Sequence, residues 1–204
     1  MKIISFDIGI NNLSYCIFDL SKSNQNEPDE QPSTNDEQQT ETIDDYSIIE
    51  WDIMNINIDG VKKPTIHYLT KNIIKLFDDN KLFLECNKVV IENQPCMKNP
   101  IMKSIQIIVY TYFSIRGLTD NKTTSDIIFM SAGNKMKVYD GPSIEVNVKS
   151  KYTRNKKLAI LHTRHILEKN TEKIEYFNTH KKKDDLADAY LQGMYYLKKN
   201  KLIN

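Results

Sequence analysis

Net charge, cysteine and glycine are all in short supply in this chain of 204 residues. The formal net charge is only +1, which by itself does not point to a polyanionic partner. Three cysteines, at 16, 86 and 96, are too few and too badly spaced for a disulfide scaffold or a zinc cluster. They fit a reducing compartment better. Six glycines, at 9, 60, 117, 133, 141 and 193, form no glycine-rich phosphate loop. No apolar run approaches the ~18 residues of a membrane span. The first residues, Met1 to Asp7, run directly into an apolar segment, so we expect no secretory signal and no transit peptide. These observations lead us to expect a cytoplasmic protein.

The small net charge conceals an asymmetry. Residues 21–45 hold eight acids and one base, a net −7, which leaves +8 on the other 179 residues. A basic body with an acidic appendage suits a nucleic-acid partner. It equally suits a lysine-rich surface kept for solubility. Segment 21–45 is Ser, Asn, Gln, Pro, Thr and acids, and cannot bury apolar surface. We read it as a disordered insertion in one domain spanning 1–204.

Patterning places strands at 2–8, 13–20, 47–58, 88–92 and 127–130, with a turn at 9–12. Helices are expected from Pro64, with Ile66, Leu69, Ile73, Leu76 and Phe77 on one face, and from Pro100 to Arg116. Two more are expected at 151–168 and 184–199, while 131–150 reads as irregular. The helix at 100–116 is apolar on more than one face, so it is either central or covered by a partner subunit. Three antiparallel strands, followed by parallel strands with crossover helices, make a five-stranded mixed sheet flanked by helices. That is the RNase H-like plan of the α/β class.

Four acids stand out. Asp7 ends an apolar strand, where an unpartnered carboxylate is costly to bury; Asp-x-Gly also opens ordinary turns. Glu92 ends the run Lys-Val-Val-Ile-Glu, and could be a plain strand-ending residue. If its strand lies parallel beside the first, both acids reach the carboxyl edge where open α/β sheets place ligands. Asp185 and Asp188 are three apart on one helix face, and repel unless a cation sits between them. Asp184 fits an N-cap, which would make these acids a capping cluster. Taken together, four carboxylates can hold two hard divalent cations. Two such ions, roughly 4 Å apart, clamp an in-line displacement at phosphorus. One activates the attacking water and the other steadies the departing 3′ oxygen. His162 and His165 read as surface or DNA-contact residues rather than metal ligands.

Basic residues flank the acids: Lys98, Lys103, Lys149, Lys151, Arg154, Lys156, Lys157 and Lys181, Lys182, Lys183. They suit phosphate contacts without base reading. Tyr152 among them reads either as a stacking wedge or as a core residue. Sugar kinases and actin-like ATPases share the opening Asp-x-Gly, but need a second phosphate loop that this chain lacks.

Phe6-Asp7-Ile8-Gly9, Ile91-Glu92-Asn93-Gln94-Pro95 and Lys182-Lys183-Asp184-Asp185-Leu186-Ala187-Asp188-Ala189 occur in that order. This set resembles the RuvC-like Holliday junction resolvases, above all their poxvirus and yeast mitochondrial branch. The resemblance spans nearly the whole chain except 21–45, and the insertion is a departure from the family. It implies an RNase H-like fold and a homodimer through helix 100–116. It also implies paired nicks across four-way DNA junctions, leaving 5′ phosphates and 3′ hydroxyls. Asp7, Glu92, Asp185 and Asp188 would be the catalytic acids and Mg²⁺ ligands, two ions per site, with Mn²⁺ as a substitute. The viral branch implies work on branched viral genomes in the cytoplasm. An RNase H-like nuclease for flaps or RNA–DNA hybrids, or a non-catalytic junction binder, remains the alternative.

Overall fold

The computed structural model describes residues 1–20, 46–97 and 99–203. The insertion expected at 21–45 and the DNA contact expected of Lys98 lie outside the described residues. Five strands form one sheet: β1 (Lys2–Asp7), β2 (Leu13–Asp19), β3 (Ser47–Met54), β4 (Lys88–Asn93) and β5 (Asp126–Ser131). Their order is β3-β2-β1-β4-β5. The β1–β2 and β2–β3 pairs are antiparallel, and the β1–β4 and β4–β5 pairs are parallel, as the element order predicts.

Strand β3 stops at Met54, short of the expected residue 58. The side chain of Asn55 takes the backbone N–H of Asn57 at 3.0 Å, and this local turn ends the ladder. Helix α1 (Ile66–Asp79) is capped by Thr65, whose side chain accepts from the Tyr68 N–H, and buries Leu69, Ile73 and Phe77. Helix α2 (Pro100–Tyr112) continues as a π-helical stretch, Phe113–Asp120, past the expected end at Arg116. The widened turn lets two adjacent aromatic residues, Tyr112 and Phe113, both pack on Phe77. Helices α3 (Lys151–Ile166), α4 (Thr171–Thr179) and α5 (Lys183–Lys199) complete the chain. The short α4 was not expected; Asn170 caps it and only Phe177 among its residues is buried. Among the described residues no helix is long and apolar enough to cross a membrane.

Helices cover both faces of the sheet, so β1 and β4 are buried on both sides and read as nearly continuous apolar runs. One core joins Ile4, Phe6, Val89 and Ile91 to Phe77, Phe83 and Phe113 on the α1–α2 side. The other joins Ile3, Phe18, Trp51 and Val90 to Phe177, Leu186, Tyr190 and Leu197 on the α3–α5 side. Helix α5 crosses the sheet at close range. A Cβ at Gly193 would lie 2.2 Å from Phe18 Cε2, and Phe18 is itself fully buried. Only glycine permits that approach.

Candidate active site

Side-chain alternation brings the acids together. Asp7 lies two residues beyond Ser5, and Glu92 two beyond Val90, so both point to the α5 side of the sheet. The strands are paired in parallel, Phe6 opposite Ile91, so both acids reach the same carboxyl edge. Gly9 makes the turn that follows possible: a Cβ there would sit 2.3 Å from the Asn12 carbonyl oxygen.

Hydrogen bonds seat α5 over this edge. Ser14 Oγ donates to the Asp185 carbonyl at 2.7 Å, and Ser14 is the cross-strand partner of Asp7. Trp51 Nε1 donates to the Leu186 carbonyl at 3.0 Å. Gln192 Nε2 donates to Ser5 Oγ at 3.1 Å and to the Phe6 carbonyl at 3.0 Å. That buried amide ties α5 to the strand carrying Asp7. Gln192→Leu removes the donor and leaves its acceptors dry, at a cost of about 1–3 kcal/mol. Urea unfolding should read that loss together with weaker function; unchanged stability would refute the tie.

Asp7, Glu92, Asp185 and Asp188 all line one cleft of about 760 Å³. Lys135, which the sequence reading did not single out, enters it from a short 3₁₀ segment, Ala132–Lys137, directly after β5. Its Nζ lies 2.6 Å from Asp188 Oδ2, 3.2 Å from Glu92 Oε1 and 3.7 Å from Asp7 Oδ1. The one signal available was positional: β5 runs parallel to β4, so the residues after it emerge at the same edge.

Electrostatics divides the acids. Burial, then repulsion by Glu92, pushes the Asp7 carboxyl well above its usual range. Burial also works to raise Glu92, but Lys135 and hydrogen bonds with Asp7, Lys135 and Gln94 outweigh it and hold Glu92 below the usual range. Burial raises Asp188 despite its contact with Lys135, with Glu92 and Asp185 adding to the effect. Burial and the neighbouring Asp184 raise Asp185. Burial lowers the Lys135 ammonium, but Asp7, Asp188 and Glu92 reverse that and keep it protonated.

The loop after Glu92 is shaped by α2. Gln94 Nε2 donates to Glu92, the Gln94 N–H donates to Gln106 Oε1 at 2.7 Å, and Lys103 Nζ donates to Asn93 Oδ1 and Gln106 Oε1, each at 3.1 Å. Asp184 is not the N-cap of α5; Lys182 holds that position without a side-chain cap bond. Asp184 instead pairs with Lys156. Lys156 and Lys182 line the cleft, whereas Lys151, Arg154 and Lys157 are exposed on α3 outside it, and Lys183 donates to the His180 carbonyl. Tyr152 is 69% exposed at the cleft, with Lys156 Nζ 5.0 Å above its ring, so it is not a core residue. His162 departs from its expected surface role: it is buried and stacked on Tyr139, centroids 4.1 Å apart. Burial lowers its pKa.

The donor set is all oxygen, the chemistry that Mg²⁺ prefers. As the side chains stand, no group of three or more His, Cys, Asp or Glu among the described residues is arranged to hold a metal. Asp7, Glu92 and Asp188 are instead spaced around the Lys135 ammonium.

No protein-family model matches the chain. It is 43% identical over 148 residues to an uncharacterized protein of Acanthamoeba polyphaga mimivirus, covering 67% of this chain and 36% of that relative. The chain thus spans about a third of that relative's length. Its structure resembles the fowlpox virus resolvase in complex with Holliday junction DNA (TM-score 0.60, 18% identity, 98% of this chain and 99% of that one). It also resembles the yeast mitochondrial Holliday junction resolvase (0.56, 14%, 98% and 84%). A further solved neighbour is RuvC of Thermus thermophilus (0.54, 10%, 98% and 97%). With this sheet order and these helices, the chain has the RNase H-like fold of the RuvC-type Holliday junction resolvases.

Proposed function

We propose that this chain is a Mg²⁺-dependent endonuclease that resolves four-way DNA junctions by paired nicks, leaving 5′ phosphates and 3′ hydroxyls. One observation carries the reading: four carboxylates from two adjacent parallel strand ends and one helix line a single cleft, in a fold shared with junction resolvases. Asp7, Glu92, Asp185 and Asp188 would hold two Mg²⁺ ions, for which Mn²⁺ could substitute. When bound, such ions acidify an attacking water and take up the charge of the departing 3′ oxygen. The chain's own residues do the rest. Gln94 orients Glu92, whose lowered pKa keeps it ionised at neutral pH. Lys156 and Lys182 at the cleft, with Lys103, Lys151, Arg154, Lys157 and Lys183 on the elements beside it, supply phosphate contacts, and Lys98 is proposed to add another. The exposed Tyr152 ring offers a stacking face for a base at the branch. Branched viral genomes in the cytoplasm are the proposed substrate, a reading that rests on the viral origin of the mimivirus relative and of the fowlpox resolvase alone.

The test is cleavage of an end-labelled four-way junction with Mg²⁺, beside a flap, a plain duplex and an RNA–DNA hybrid. Symmetric, ligatable nicks in the junction support resolution. Preference for the flap or hybrid reassigns the substrate. Tight binding without nicking by the wild type makes the chain a junction-binding protein.

A homodimer is part of this proposal. Helix α2 is not central, because Ile101, Ile107 and Tyr110 are exposed on it, as are Ile115 and Leu118 beyond it. With Ile74 of α1, Ile107, Ile108 and Ile115 line an apolar groove of about 380 Å³. Light scattering at micromolar protein should give twice the chain mass, and Ile107→Glu should give the chain mass. A monomeric wild type refutes this interface.

A further inference from the structure

We propose that Lys135 is the built-in counter-ion of the acid cluster in the metal-free protein, and that its ammonium must leave the cluster when divalent cations enter. This rests on the two-metal reading above.

The Lys135 Nζ contacts carboxylates from three different elements: Asp7 at the end of β1, Glu92 in β4 and Asp188 in α5. Its side chain is only 13% exposed, and those of Glu92 and Asp7 are 10% and 13% exposed. An ammonium drawn from water into such a place needs full compensation. Three carboxylates supply it, and the ammonium in turn keeps the buried Asp7 and Glu92 and the half-buried Asp188 from repelling one another apart. The spacing fits nitrogen rather than metal. Contacts of 2.6, 3.2 and 3.7 Å are hydrogen-bond and ion-pair lengths, whereas Mg²⁺ demands oxygens at roughly 2.0–2.1 Å.

Charge shows why both cannot stay. Four carboxylates against one ammonium leave the metal-free cluster negative, which attracts cations. Two dications neutralise the four carboxylates by themselves, and the lysine is then a surplus positive charge among them. Lys is suited to the exchange, being a compact charge on a flexible four-carbon stem. Its carrier also permits it. The segment Ala132–Lys137 has no buried residue, and nothing lies within 4 Å of a Cβ placed at Gly133. Met136 of this segment packs against the core that α5 completes, so the segment stays seated and the lysine stem alone carries the ammonium outward.

The experiment compares wild type with Lys135→Met, and with Lys135→Gln, which keeps a donor toward Asp188 should the methionine variant fail to fold. Mn²⁺ and Mg²⁺ binding are measured by calorimetry, thermal midpoints are taken in EDTA, and the wild-type lysine Nζ signal is followed by NMR. We expect a variant to bind Mn²⁺ about tenfold tighter, the scale on which one charge within ~4–6 Å shifts a neighbour. We also expect it to melt below wild type in EDTA, and the protected Nζ signal to vanish as metal saturates. Equal metal affinities, or an Nζ signal unchanged at saturation, overturn the exchange and leave the two-metal reading intact. Metal binding by neither protein overturns both.

Discussion

Asp7→Asn and Glu92→Gln are each expected to abolish junction cleavage while leaving junction binding nearly unchanged. Both acids lie at the floor of the cleft, at the ends of paired parallel strands, while the lysines that would hold phosphate lie at its rim and on α3. Phosphate neutralisation supplies most of the affinity for DNA, so binding survives. Removing one transition-state contact typically costs about 10²–10³ in rate, and the loss of a metal ligand should cost no less. A second readout separates a damaged site from a damaged fold. Burial and Glu92 raise the Asp7 pKa, so its charged form is less comfortable in the folded protein than in the unfolded chain. Stability assignable to Asp7 is therefore gained as pH falls through its raised pKa and is lost above it. Asp7→Asn removes that strain at neutral pH. The metal-free variant should melt a few degrees above wild type, at about 2–4 °C per kcal/mol for a chain of this size. Cleavage equal to wild type in both variants would place the active site elsewhere or expose a contaminating nuclease.

Trp51→Ala should be the most damaging single change in the core. The indole is 3% exposed, stacks on Phe177 with centroids 5.3 Å apart, and contacts Tyr176 and Tyr190. Truncating a buried tryptophan to alanine costs about 3–5 kcal/mol. The midpoint should therefore fall by roughly 6–20 °C. The position also matters to the site. Trp51 Nε1 donates to the carbonyl of Leu186, between Asp185 and Asp188, and so anchors the first turns of α5 to the sheet. Trp51→Phe separates the two roles, keeping much of the packing while losing that donor. It should retain most of the stability but lose part of the cleavage rate. Denaturant unfolding beside single-turnover cleavage checks both. A Trp51→Ala loss under about 1 kcal/mol would mean that the α4–α5 layer does not depend on this residue.

What the chain itself determined is the part written in local patterns. Alternation and β-branched runs located all five strands, and the order of elements dictated three antiparallel strands followed by parallel ones. Asp7 and Glu92 were legible because a carboxylate ending an apolar run is out of place. Asp185 and Asp188 were legible because helical spacing puts them on one face. What local pattern could not carry was decided by contacts between distant segments. Asp184 looked like a cap because its neighbours in sequence suggested one, yet Lys156, on another helix, claims it. His162 looked exposed on a basic helix, yet Tyr139 covers it. Tyr152 could have gone either way, and the packing of α3 left it outside. Lys135 had no local mark at all. One lysine among 25 becomes the partner of three acids only after β1, β4, β5 and α5 have assembled, because Coulomb energy depends on distance in space and not along the chain.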